Sequence, residues 1–182
     1  VRAAVCAAVP WLVTGFMHLD GYMDVCDAVL SRRDLATRQR ILKDSHCGAF
    51  AVICMVLLAM GQWSLFLAAE DVSWLALLLI PAATRACAGL AVLGLRPMDT
   101  SQYAAMGASR GGYLAALAVL LVLAAGLPLW LWGSFAPLAA EAGYGLAVWY
   151  GYRNLDGMSG DISGFALTLG ELCGCAAAIL WR

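Results

Sequence analysis

Six apolar stretches organise this chain, at residues 1–19, 49–69, 74–95, 112–133, 135–152 and 164–181. A bilayer core about 30 Å thick needs about 20 apolar residues per helical crossing, and these stretches approach that length. Inside hydrocarbon each backbone N–H and C=O must be satisfied within the protein, so successive stretches of this kind fold as helices. Composition agrees. Of the residues, 63% are hydrophobic and 13% charged, whereas a soluble domain carries about 25% charge. The mean hydropathy is +0.82. The sequence therefore predicts an all-α, polytopic membrane helix bundle of about six transmembrane helices, a single domain over 1–182 partnered by the lipid bilayer. A net charge of −1 with no basic stripe gives no support to a nucleic-acid partner.

The polar residues between the stretches sort onto alternate sides. Loop 20–48 carries Arg32, Arg33, Arg38, Arg40 and Lys43; loop 96–111 carries Arg96 and Arg110; loop 153–163 carries Arg153. The intervening connections are short and hold Glu70 and Asp71, then Gly133 and Ser134. Basic loops face the cytoplasm. The same assignment puts Asp20, Asp24, Asp27, Asp44, Asp156 and Asp161 on that face, although sidedness was set from Lys and Arg alone. A bacterial cytoplasmic membrane with the polar motif loops turned inward is the expected setting. The chain enters an apolar run directly at Val1, with no charged n-region and no cleavage site, so residues 1–19 do not read as a signal peptide. A trimmed start is expected. Of the seven cysteines, Cys6, Cys54, Cys87, Cys173 and Cys175 lie in apolar runs and read as filler. Cys26 and Cys47, near His18 and His46, match no zinc spacing.

Chemistry concentrates in residues 14–52, TGFMHLDGYMDVCDAVLSRRDLATRQRILKDSHCGAFAV. Asp20, Asp24 and Asp27 recur at i, i+4 and i+7, which on a helix confines them to an arc of about 60°. Like charges on one face repel unless a cation lies among them, and Mg²⁺ is commonly held by a few carboxylates plus substrate phosphates. The run NLDGMSGDISG at 154–164 supplies glycines that let a backbone approach an anion, and a further carboxylate, Asp161. Two charges sit inside apolar stretches. Arg85 lies roughly 15 Å and Glu171 roughly 12 Å below the basic face at 1.5 Å per residue, which matches them as an ion pair. Glu141 lies nearer the other face. A buried charge is expensive unless partnered, and the pair could be structural or line a substrate cavity.

Taken in order, HLDGYMDVCDA, KDSHCGAFAV, TRA at 84–86 and DGMSGDISG with Glu171 downstream resemble the adenosylcobinamide-GDP ribazoletransferase family, also called cobalamin synthase. The resemblance implies an integral membrane enzyme of vitamin B12 assembly that depends on Mg²⁺. A ribose hydroxyl of α-ribazole or its 5′-phosphate attacks the cobinamide-linked phosphate of adenosylcobinamide-GDP, and GMP leaves. His18, Asp20, Asp24 and Asp27 match the first motif; Lys43, Asp44, Gly48 and Phe50 match the second; Gly157, Gly160, Asp161 and Gly164 match the last, with Ser159 in the place of Thr. The expected metal ligands are Asp20, Asp24, Asp27 and Asp161, and the expected phosphate contact is Lys43. Asp44 joins the catalytic set, and either His18 or an aspartate serves as base. His18 lies about 160° around a helix from Asp20, which weakens that assignment. Arg85, Ser159, Gly160 and Glu171 are candidate substrate contacts. The resemblance also admits a homo-oligomer or an association with other cobalamin-assembly enzymes.

Departures from the family pattern are Phe16 and Asp156 where Gly is usual, Ala51 in place of a Gly, His46 for a common Arg and Thr168 for a frequent Glu. The resemblance implies an N-terminal family segment ahead of Val1, as expected of a fragment or a trimmed start. Two alternatives stay open on residues alone. A CDP-alcohol phosphotransferase also spaces aspartates on membrane helices, but the Gly here follows Asp20 and no AR pair follows. A multi-pass cation or metabolite transporter would show internal repeats and midplane polar residues.

Overall fold

Every element among the described residues is helical: α1 (Arg2–Val13), α2 (Met17–Leu30), α3 (Leu35–Ile41), α4 (Ala49–Ala68), α5 (Trp74–Gly94), α6 (Arg110–Trp132), α7 (Ala136–Leu155) and α8 (Gly160–Leu180). The structure is a computed structural model that describes residues 1–99 and 110–181. Most of the predicted loop 96–111 therefore lies outside the described residues. Four helices, α4, α5, α6 and α8, are long and apolar enough to cross a membrane. The chain is a multi-pass membrane protein.

Two of the six predicted crossings change. The stretch 1–19 is not one helix. Gly15 adopts φ 59°, and the amide of Phe16 donates to Trp11 O at 2.9 Å while that of Gly15 donates to Leu12 O at 3.1 Å. This 6→1 and 5→2 pair, with glycine just past the helix end, is the Schellman stop. The chain leaves it at a right angle, because α1 and α2 meet at 90°, so they form a broken span or a re-entrant pair. The stretch 135–152 is helical as α7, yet it falls outside the helices apolar enough to span. Glu141, Arg153 and Asn154 dilute α7, the last two lying beyond the predicted stretch. About six crossings become four, or five with the bent pair counted.

Loop 20–48 is itself largely helical. Asp34 caps α3, accepting from the Thr37 amide at 3.0 Å and the Thr37 hydroxyl at 2.8 Å, and these bonds hold its carboxyl below the usual range. Arg38 donates to Asn154 Oδ1 at 3.0 Å and Gln39 to Leu155 O at 2.8 Å, which ties α3 to the end of α7.

The bundle is organised around α8. It packs against α7, α2, α5 and α4, and 61% of its apolar window is buried against 17% for α6. At the end of the bundle far from α3, Arg2 donates to Ala69 O at 2.8 Å, so α1 starts beside the close of α4. At the other end the close of α7 meets α3, and the segment after α5 meets the turn between α7 and α8 through Arg96 and Asp156.

Phe16 opens α2 in the left-handed region, φ 64° and ψ 2°, with its side chain exposed. A residue with a β-carbon is penalised there by roughly 1–2 kcal/mol, and glycine gives back part of that through unfolded-chain entropy. Phe16→Gly should therefore raise stability by about 0.5–1 kcal/mol, read as a higher thermal midpoint in detergent. A lower midpoint would show that the exposed ring contributes more than the strain removes.

Candidate functional site

The crossing of α2 on α8 sets the site. A β-carbon added at Gly21 would stand 2.8 Å from Asp161 O and 2.9 Å from Asp161 Cα, and one added at Gly164 would stand 3.2 Å from His18 O. Backbone meets backbone here, an approach that small residues allow between membrane helices. The Thr168 hydroxyl donates to His18 O at 3.2 Å, and the Tyr22 ring stacks on Phe165 at 5.7 Å. The Tyr22 hydroxyl donates to Cys54 O at 3.3 Å, which adds α4 to the crossing.

Burying Leu19, Tyr22, Val25, Cys26 and Val29 turns the opposite face of α2 outward. That face carries Asp20, Asp24 and Asp27, as the spacing predicted. All three line one cavity of about 350 Å³, with Lys43, Asp44 and His46 from the segment before α4. The carboxylates nearest Asp24 in electrostatic effect are Asp20, Asp161 and Asp27, so the first turn of α8 faces the same row. Asp161 in turn lies within electrostatic reach of Lys43.

Asp27 has a second engagement. Its Oδ1 accepts from the Ala51 amide at 3.4 Å, and a β-carbon at Gly48 would stand 1.9 Å from its Oδ2. Its carboxylate thus occupies the amino end of α4, where unpaired N–H groups and the helix dipole favour an anion. Asp44 accepts from the His46 amide at 3.0 Å and meets the His46 ring at 2.7 Å. The His46 contacts hold the Asp44 carboxyl below the usual range.

The remaining candidates separate from this cavity. Ser159 is buried, and its hydroxyl caps α8 by accepting from the Ile162 amide at 3.3 Å, while Gly160 is exposed. Arg85 and Glu171 form an ion pair between α5 and α8, and the Arg85 guanidinium also reaches Pro81 O and the Thr84 hydroxyl. The pairing inferred from depth is therefore present. Glu141 stays apart, and its buried Oε1 has no hydrogen-bond partner among the described residues. Arg85 and Glu171 line a separate apolar cavity between α1, α4, α5 and α8. His18 does not line the acidic cavity and lies within electrostatic reach of Arg85 and Glu171. Sequence reasoning passed over Met23, Ser45, His46 and Cys47 as lining residues. The i+3 step from Asp20 to Met23 and the position of 45–47 between Lys43 and the α4 start were the available signals.

Among the described residues no group of three or more His, Cys, Asp or Glu side chains is disposed as a ready-made metal cage. The donor set still suits a hard cation. Mg²⁺ keeps several waters and takes one or two carboxylates plus substrate phosphates rather than an all-protein cage.

This is a membrane helix bundle with a carboxylate-lined polar site at one end. The chain matches the family described as cobalamin-5-phosphate synthase over residues 1–179, and it belongs to that family. It is 31% identical over 194 residues to the adenosylcobinamide-GDP ribazoletransferase of Clostridium botulinum (strain Alaska E43 / Type E3), covering 100% of this chain and 75% of the relative. It is 35% identical over 181 residues to the enzyme of the same name from Clostridium perfringens (strain 13 / Type A), covering 96% of this chain and 72% of the relative. To that of Thiobacillus denitrificans (strain ATCC 25259 / T1) it is 35% identical over 178 residues, covering 92% and 68%. No solved structure matches it significantly. Family membership favours the transferase reading over the phospholipid-enzyme and transporter alternatives.

The Arg85–Glu171 pair permits a direct test of coupling. A lone charge in a span costs about 2.5–3.5 kcal/mol on insertion scales, so Arg85→Met and Glu171→Gln should each lower the yield of folded protein. The double variant should recover part of that yield. Strictly additive losses in this double-mutant cycle would show that the two side chains do not depend on each other.

Proposed function

We propose that this chain is the membrane transferase that joins α-ribazole, or its 5′-phosphate, to adenosylcobinamide-GDP with release of GMP. The observation that carries the reading is the convergence of Asp20, Asp24 and Asp27 on one cavity with Lys43, with Asp161 facing the same row. Its family membership supplies the substrates.

In the proposed step a ribose hydroxyl oxygen attacks the cobinamide-linked phosphorus. A new P–O bond forms, the bond from that phosphorus to the bridging oxygen breaks, and GMP leaves with the bonding electrons. The hydroxyl proton passes to an aspartate of the α2 row, since His18 does not line the cavity. Such transfers are accelerated mainly by positioning and by neutralising charge on the phosphates. Lys43 supplies a cation for a phosphate oxygen. Asp20, Asp24, Asp27 and Asp161 supply the carboxylates that would hold Mg²⁺, Asp27 with one oxygen already engaged by Ala51. When bound there, Mg²⁺ would supply the positive charge that offsets charge on the phosphates and the leaving GMP. We place the site at the cytoplasmic face of a bacterial inner membrane, because Arg32, Arg33, Arg38, Arg40 and Lys43 share its end of the bundle.

GMP release from adenosylcobinamide-GDP by the purified chain in proteoliposomes tests the reaction. Asp24→Asn should lower that release about 10²-fold or more, the scale of losing a group that offsets transition-state charge, with membrane insertion unchanged. Near-normal turnover of the variant across a Mg²⁺ titration would remove Asp24 from the site.

Sidedness is tested by labelling in inside-out and right-side-out vesicles. Cys47 is exposed and should react from the cytoplasmic side, whereas a cysteine introduced by Asp71→Cys should react from the opposite side. Reaction of both from one side would break the proposed orientation.

A further inference from the structure

The turn that launches α8 is held from outside by the segment after α5. Asp156 ends α7 in the left-handed region, φ 57° and ψ 52°, and Gly157 follows at φ 147°. Arg96 donates to Asp156 Oδ1 at 2.7 Å and to Asp156 O at 2.9 Å. The backbone of the same segment adds an isolated parallel bridge, Pro97 to Met158, in which the Met158 amide donates to Arg96 O at 2.9 Å and the Met98 amide to Met158 O at 2.9 Å. Met98 and Met158 are buried at 2% and 1% exposure, so the bridge is seated in the bundle rather than lying on its surface. Two residues past this bridge begins α8, with Asp161 in its first turn.

An exposed ion pair alone contributes little to stability, and the Arg96 and Asp156 side chains are 53% and 61% exposed. The geometry gives this one a different task. Aspartate tolerates the left-handed region only at a cost that glycine avoids. A guanidinium that grips both the carboxylate and the carbonyl of Asp156 selects that conformation over its extended competitors.

We propose that Arg96 is a positioning residue for the transferase reaction: it clamps the left-handed turn at Asp156 and thereby fixes the first turn of α8, with Asp161, against the carboxylate row of α2. The inference rests on the transferase reading for its activity readout alone. It requires that relaxing the turn with glycine makes the clamp dispensable. It also requires that lysine, which keeps one cationic donor, retains part of the function.

The test uses the full chain in nanodiscs, with Arg96→Gln, Arg96→Lys, Asp156→Gly and the Arg96→Gln/Asp156→Gly double variant. Amide exchange of Met158 should speed up about tenfold in Arg96→Gln, as expected when a local opening becomes easier. The kcat for GMP release should fall about tenfold with KM little changed, the mark of a displaced catalytic group. Arg96→Lys should keep most of the kcat, and the double variant should recover a large part of what Arg96→Gln loses. Unchanged Met158 exchange in Arg96→Gln overturns the clamp. A kcat loss that Asp156→Gly does not relieve also overturns it, since it would make the guanidinium a direct substrate contact. If the wild-type chain releases no GMP, the transferase reading fails, while the exchange measurements still decide whether Arg96 holds the turn. If Arg96→Gln does not fold, the comparison of Arg96→Lys with Asp156→Gly carries the same decision.

Discussion

At the crossing of α2 and α8, Gly21 leaves no room for a β-carbon above the backbone of Asp161, and the candidate site depends on that contact. It brings a row of three carboxylates on one helix to face a fourth on another. Those charges repel, so nothing among them favours the arrangement in the protein alone. The apolar side of α2 holds it, through Leu19, Tyr22, Val25 and Val29 buried against the bundle. Close packing of these side chains, with Gly21 set against the Asp161 backbone, holds the helices together against that repulsion. The fold thus holds, through packing, an arrangement of carboxylates that their mutual repulsion alone would oppose.

A different logic governs the charges deeper in the bundle. Arg85 and Glu171 are paired across α5 and α8, and the guanidinium also reaches the carbonyl of Pro81 one turn earlier in α5. Removing one member would leave the other without its counter-charge in a low-dielectric setting, which is why buried pairs are sensitive to single changes even when they add little net stability. His18 stands between the two polar regions. Its backbone is held by Thr168 at the crossing, while its side chain lies within reach of the ion pair rather than in the acidic cavity.

How much of this was legible in the sequence follows from which signals are local. The aspartate spacing at 20, 24 and 27 is a helical signal complete within eight residues, and α2 presents the three as expected. Matching Arg85 with Glu171 needed only rise per residue and the positions of the spans. The first stretch is broken rather than one helix for an equally local reason: Gly15 is a strong stop signal in an apolar run, and hydropathy averaged over 1–19 conceals it. The second engagement of Asp27 was not legible, because the amino end of α4 reaches it from 24 residues away. Nor was the clamp on Asp156, since Arg96 lies 60 residues distant in the chain. Long-range placement of a polar group leaves no periodic trace.

The strained backbone of this chain has a pattern that ties these points together. Among the described residues the non-glycine positions with positive φ are Phe16, Arg32 and Asp156. Phe16 opens α2, Arg32 follows its close, and Asp156 precedes α8, so all three bracket the two helices that carry the carboxylates. Each costs of order 1–3 kcal/mol and persists only where the surroundings over-determine the conformation. The surroundings do so at two of the three: the Schellman stop fixes the chain entering Phe16, and Arg96 with the Met98–Met158 bridge fixes the chain leaving Asp156. A helix can enter such a crossing only at one angle, and a turn that sets the angle need not be a relaxed one. The strain thus lies at the ends of the two helices that carry the carboxylates, where hydrogen bonds from neighbouring segments hold the turns at Phe16 and Asp156.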